Sequence, residues 1–167
     1  MAVGLAILKG HAGLVTERPQ RDCRSRMDLA KVRIIFCPMD LSGLLGIYHT
    51  GLAIVSQATS KCLRAAGIWS TVEPVKSAAG IEEAVALRSP THVVINALWL
   101  PTVDIARLCH KYPDISFAVL CHSNMAFLQV EMGAITLLRE ALDLADNTHN
   151  FYFAANSRAG ARGVLDA

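Results

Sequence analysis

The sequence predicts one α/β domain: a parallel sheet of about five short buried strands with helices on both faces. Three observations predict it. Apolar residues make up 53% of the chain but aromatics only 6%. The apolar mass is therefore Ala, Val, Leu and Ile, the mixture expected of strands buried on both faces beneath helices. Runs of β-branched residues alternate with segments of helical period, which implies β-α-β units joined by right-handed crossovers. Finally, 167 residues is an ordinary size for one domain, enough to bury roughly 70% of the unfolded surface.

Residues 1–30 read differently from the rest. Glu17 to Arg26 is polar and charged and contains Pro19, so the segment is taken as an N-terminal extension whose composition permits mobility, with residues 31–167 as the domain. Val32-Arg33-Ile34-Ile35-Phe36 is the first strand, stopped by Pro38. A helix is expected from about Tyr48 to Ala66, with Leu52, Val55, Thr59, Cys62 and Ala66 on its inner face and Gly67 as its stop. Thr71 to Val75 is a weaker strand that Pro74 places near an edge. A short helix over Ile81–Leu87 leads to a strand, Thr91-His92-Val93-Val94-Ile95-Asn96. Thr102 is expected to cap a helix through Tyr112, and Ile115 to Leu120 forms the next strand. A long helix from Ser123 or Asn124 to about Ala145 carries the stripe Leu128, Met132, Ile135, Leu138, Leu142. Phe151 to Ala154 is the fifth strand, and Asn156 begins a last short helix.

Charge is nearly balanced, at +2, so no field announces nucleic acid or an anionic membrane. The cluster Arg18, Arg21, Arg24, Arg26 reads as a solvated linker. Five cysteines without a C-x-x-C pair speak against a disulfide framework or structural zinc site. They are expected to be reduced, mostly buried thiols of a cytoplasmic protein. No segment reaches the ~18 apolar residues of a membrane span, and no secretory signal is legible.

In a sheet of this kind the ligand lies beyond the carboxyl ends of the strands, which selects residues 38–50, 96–101, 121–125 and 155–158. The first loop holds Gly43, Gly46 and His49. Its glycines allow close backbone approach to a ligand at a helix start, and a tight turn explains them equally well. The loop Cys121-His122-Ser123-Asn124 gathers an imidazole, a hydroxyl and an amide, able to bind ligand hydroxyls or a phosphate and to handle a proton near neutral pH. Helix capping by Ser123 or Asn124 is the plainer reading. Asn96 and Asn156 end strands, as ligand groups or as turn formers. The chain lacks G-x-G-x-x-G, G-x-x-x-x-G-K-[ST] and G-x-S-x-G. No metal-ligand cluster is legible, and the acidic and Lys positions of a phosphoacceptor receiver hold Cys37-Pro38, Asn96 and Asn156.

Four segments carry a family resemblance: Ser42-Gly43-Leu44-Leu45-Gly46-Ile47-Tyr48-His49, Thr91 to Trp99, Phe117 to Asn124, and Ala155-Asn156-Ser157. Val32 to about Arg158 resembles the N-terminal, acceptor-side domain of GT-B glycosyltransferases, group 1, a Rossmann-like domain. The resemblance implies transfer of a sugar from a nucleotide-sugar donor to a hydroxyl acceptor without a metal or other cofactor. His122 would be the catalytic residue, with Gly43, Gly46, His49, Asn96, Ser123, Asn124 and Asn156 binding substrate. It also implies a second, C-terminal domain with two glutamates seven residues apart, a pattern this sequence lacks, so the chain is expected to be half of an enzyme and inactive alone. A non-catalytic domain of the same fold, binding a small ligand or a protein, is the alternative.

Overall fold

A computed structural model of the chain describes residues 6–8, 28–40, 50–122 and 133–155. Along the chain these form β1 (Ala6–Leu8), β2 (Arg33–Pro38), α1 (Thr50–Ala65), β3 (Trp69–Val72), α2 (Ala78–Arg88), β4 (His92–Asn96), α3 (Thr102–Lys111), β5 (Ser116–Cys121), α4 (Ala134–Asn147) and β6 (Phe151–Ala155). They build one sheet in the order β1-β6-β5-β4-β2-β3. The five strands from β2 to β6 are mutually parallel, as the alternation of strands and helices requires. β3 lies at an edge as expected, but it runs Trp69–Val72 rather than Thr71 to Val75, so Pro74 falls beyond its end. A sixth strand, β1, lies within the segment read as an extension and pairs antiparallel with β6, Ala6 opposite Ala155.

The strands are legible because their β-branched and aromatic residues alternate in burial. Val93, Ile95, Phe117, Val119, Phe151 and Phe153 face one side, and each is at most 1% exposed. Against them pack Ile81 of α2, Ile105 and Leu108 of α3, and Leu138 and Ala141 of α4, which completes the main core. α1 covers the opposite side over β2 and β3. Farther along that side, Ile34, His92, Val94, Ala118 and Tyr152 line a groove of about 260 Å³.

Three local expectations need correction. The inner face of α1 is not Leu52-Val55-Thr59-Cys62. Val55, Thr59 and Cys62 are exposed, and Ser56 and Ser60 are buried at 1% exposure each. Burial follows hydrogen bonding here rather than hydropathy. The Ser60 and Ser70 hydroxyls lie 2.9 Å apart and Ser70 also donates to the Ser60 carbonyl, so the serines are satisfied and their small size lets the helix lie close to the sheet. Second, α4, expected from Ser123 or Asn124, starts at Ala134, because Gly133 has φ +84° and a left-handed residue cannot continue a right-handed helix. Third, Pro101 occupies the cap position of α3, and the Thr102 hydroxyl instead donates to Glu140 of α4 at 2.5 Å.

Elements are tied by a few polar locks. The guanidinium of Arg33 donates to the carbonyls of Arg88 and Ser89, placing a cation at the carboxyl end of α2, and it also stacks on Trp69. Asn150, 5% exposed, donates to the carbonyls of Cys109, Tyr112 and Ile115 and so fixes the turn after α3. Glu82 of α2 binds Lys111 and Arg107 of α3, and Lys111 holds its carboxyl below the usual range. Cys37 and Cys109 are pushed up to about 12 by burial, so neither ionises near neutral pH. No helix among the described residues is long and apolar enough to cross a membrane.

Candidate functional site

The residues selected from strand ends meet at the carboxyl edge of β4 and β5. Asn96 is the last residue of β4 and pairs in register with Leu120, so His122, two residues on, emerges beside it on the same side of the sheet. That is the side on which α1 packs, and the first turns of α1 supply the remaining partners. The Asn96 side-chain nitrogen donates to the Leu52 carbonyl at 2.9 Å and to the Ser56 hydroxyl at 2.6 Å. The Ser56 hydroxyl in turn donates to the Leu52 carbonyl.

This geometry determines the chemistry of His122. A carbonyl can only accept, so the atom of Asn96 facing Leu52 must be the NH₂ nitrogen. Oδ1 of Asn96 is then the atom that meets Nε2 of His122, in a short hydrogen bond. An amide oxygen also only accepts, hence Nε2 carries the proton and Nδ1 the lone pair of the neutral ring. Burial holds the His122 pKa below its ordinary value. At neutral pH the imidazole is therefore uncharged and half-buried, with its proton on Nε2.

Asn96 itself is 1% exposed. Its amide faces Ser56, Leu52 and His122, so it positions the ring. Gly43, Gly46, His49, Ser123, Asn124 and Asn156 lie outside the described residues. Ser56 was not selected from the sequence, because a serine inside a helix carries no signal of a partner 40 positions away. Its spacing of four from Leu52, on the turn that follows the first loop, is the only trace.

The loop from β4 to α3 is held in an unfavourable state. Ala97 has φ +85°, a left-handed conformation that costs a residue with a Cβ about 1–2 kcal/mol. Its N–H donates to the Leu120 carbonyl, which ties the base of the loop to β5. Two residues on, the indole N–H of Trp99 is buried with no acceptor. Such an orphaned donor costs about 1–3 kcal/mol. Leu100, 5% exposed, anchors the far end of the loop in the core.

A separate cleft of about 440 Å³ opens between the end of β3 and α2, lined by Asp40, Glu73, Lys76, Ser77 and Glu83 among others. Two of its carboxylates are already engaged, Glu73 with Arg88 at 2.7 Å and Asp40 with Lys76 at 3.9 Å. Among the described residues no group of three His, Cys, Asp or Glu side chains is placed to hold a metal ion. Of the other histidines, His92 bonds Thr91 and is kept below its ordinary pKa by burial, while His110 and His149 are exposed.

Comparison with known proteins overturns the glycosyltransferase resemblance. No family model matches the chain, and no curated protein matches it. Among solved structures it is similar to the crystal structure of TesA, with a TM-score of 0.44 and 16% identity over 70% of this chain and 76% of that one. TesA is not a glycosyltransferase, and a likeness at this level says nothing of activity. Sugar transfer as the function falls with the resemblance. Its physical weakness lies in what carried it: glycines, Asn and His just past short strands are what any doubly wound sheet tends to set at its carboxyl edge.

Proposed function

We propose that the domain binds a small uncharged ligand at the carboxyl ends of β4 and β5, beside the Asn96–His122 pair. The observation that supports this most is the Ser56–Asn96–His122 chain. That chain orders an imidazole at the strand ends, and strand ends beside a reversal of strand order are where such sheets hold ligands. That reversal lies here between β2 and β4, next to Asn96.

The charge of the ligand follows from the segments after the three central strands. Residues 37–49, 96–101 and 121–130 contain no Lys or Arg and many Leu, Ile, Met, Phe and Trp. A phosphate or carboxylate would find no cation in them to offset its desolvation. A neutral molecule with an apolar body and a hydroxyl suits them.

The experiment is a screen of small neutral alcohols and matched carboxylates against ¹⁵N-histidine-labelled chain. Benzyl alcohol is expected to move the His122 ring signals, benzoate is not, and His122→Ala should lose the response. Asn96→Ala should weaken binding about 10-fold while releasing the ring into a mixture of tautomers. A screen in which no alcohol moves His122, or in which benzoate binds as well as the alcohol, refutes the reading.

A further inference from the structure

The groove across β4, β5 and β6 holds a second imidazole, His92, which the strand-end site does not use. We infer that this groove is a binding site of its own for a small, neutral, elongated alcohol, whose hydroxyl donates to Nε2 of His92 and accepts from the Ser116 hydroxyl. The site occupies a different part of the sheet face from the Asn96–His122 pair and does not depend on it.

The strand register sets His92 beside Ser116, and both side chains line the groove of about 260 Å³. The surroundings of His92 fix which ring nitrogen accepts. The Thr91 hydroxyl lies 2.8 Å from Nδ1 of His92 and 3.1 Å from the Arg33 carbonyl, and it accepts from the Arg33 N–H at 2.8 Å. A hydroxyl has one proton and two lone pairs. All three contacts therefore form together only when that proton goes to the carbonyl and Nδ1–H donates to the hydroxyl oxygen. Nε2 is then the accepting nitrogen, and burial keeps the ring neutral by lowering its pKa. Among the described residues neither Nε2 of His92 nor the Ser116 hydroxyl has a partner. One ligand hydroxyl answers both, since it donates once and accepts as well.

The remainder of the groove is apolar. Ala118 forms its floor, because its register partners on either side, Val94 and Tyr152, are both larger. The groove follows β5 from Ser116 to the level of Ala154, which pairs with Leu120, a length of about 13 Å. Among the described residues that line it no side chain is charged, so a carboxylate or ammonium group would lose its hydration without compensation. An alcohol can lay its apolar body over Ala118 and set its hydroxyl between His92 and Ser116.

Hexanol is the probe. Its isomer methyl pentyl ether, which has no proton to donate, and hexanoate, which is charged at neutral pH, are the controls. In ¹⁵N-histidine-labelled chain, His92→Gln identifies the His92 signals. Hexanol is expected to shift the Nε2 signal of His92, the ether much less, and hexanoate not at all. Ser116→Ala should weaken hexanol about 10-fold, the scale of one hydrogen bond. Ala118→Leu fills the floor from the groove side, away from the main core, and should abolish the response while the circular dichroism spectrum is retained. If hexanol leaves His92 unmoved, if the ether or hexanoate shifts it as much as hexanol does, or if folded Ala118→Leu binds hexanol as before, the inference is overturned. His92 and His122 report separately, so failure at one leaves the reading of the other standing. The signals of the unsubstituted chain decide the matter, and the result does not hang on the folding of a variant.

Discussion

A single imidazole titrates in a way that reports its surroundings. Burial lowers the pKa of both His122 and His92 in the folded chain, so the folded state binds fewer protons than the unfolded state near and below pH 6.5. The stability these rings contribute is present in full above the unfolded value of about 6.5 and is lost as pH falls through their lower folded values. Chemical denaturation across pH 5 to 8 should show stability declining on the acid side, with His122→Gln removing part of the decline and leaving the His92 share. A curve unchanged by His122→Gln would mean that the ring is solvated in the folded chain. The Asn96 bond survives protonation, because Nε2 donates in both charge states.

At the scale of elements, α1 reverses what its hydropathy suggests. Ser56 and Ser60 face the sheet, while Ile54 is 59% and Val55 41% exposed. Ser60→Leu should therefore destabilise the chain by about 1–3 kcal/mol, through overpacking and loss of the Ser70 bond. Val55→Gln, in a position the periodic reading would bury, should stay within about 0.5 kcal/mol. Urea unfolding of both variants checks this, and the opposite ranking would restore the apolar inner face.

The same helix shows where sequence reading stops. The strands were legible because burial on both faces leaves uninterrupted β-branched runs, as in Val93-Val94-Ile95, and because Gly67 and Pro74 end their elements for local reasons. Asn96 and His122 were legible as positions, being polar residues just past strand ends. Their hydrogen bond was not, since it depends on the register that sets Asn96 opposite Leu120. The serine face was hidden for the same reason: a small polar residue buries well only when a partner from a distant element satisfies it. Thr102 looked like a cap locally, but Glu140 claims its hydroxyl in the fold. The family resemblance failed at loops, where sequence varies most freely and the layout is shared by unrelated functions.

On the scale of the whole molecule, one edge of the sheet depends on a segment remote from it in sequence. β1 adds three residues to β6. Removing residues 1–26, so that translation begins at Met27, should leave the β2–β6 sheet and its helices cooperatively folded with a modest fall in melting temperature. It should also lay bare the outer backbone groups of β6, which invite pairing with another chain. Calorimetry and light scattering together test this. A truncated chain that unfolds outright would make β1 integral to the core, and one that neither melts earlier nor associates would make β1 dispensable.

The β1–β6 pairing also sets an order of events in time. Ala6 and Ala155 are partners across nearly the whole chain, whereas β2, β3, β4, β5 and β6 follow one another through intervening helices. Closing so long a loop carries an entropy cost that grows with the logarithm of its length, and non-local pairings of this kind are gained late. During synthesis the first strand has emerged long before its partner exists. It must wait unpaired until β6 has joined β5, and for that interval the growing chain carries an open strand that the finished fold no longer presents.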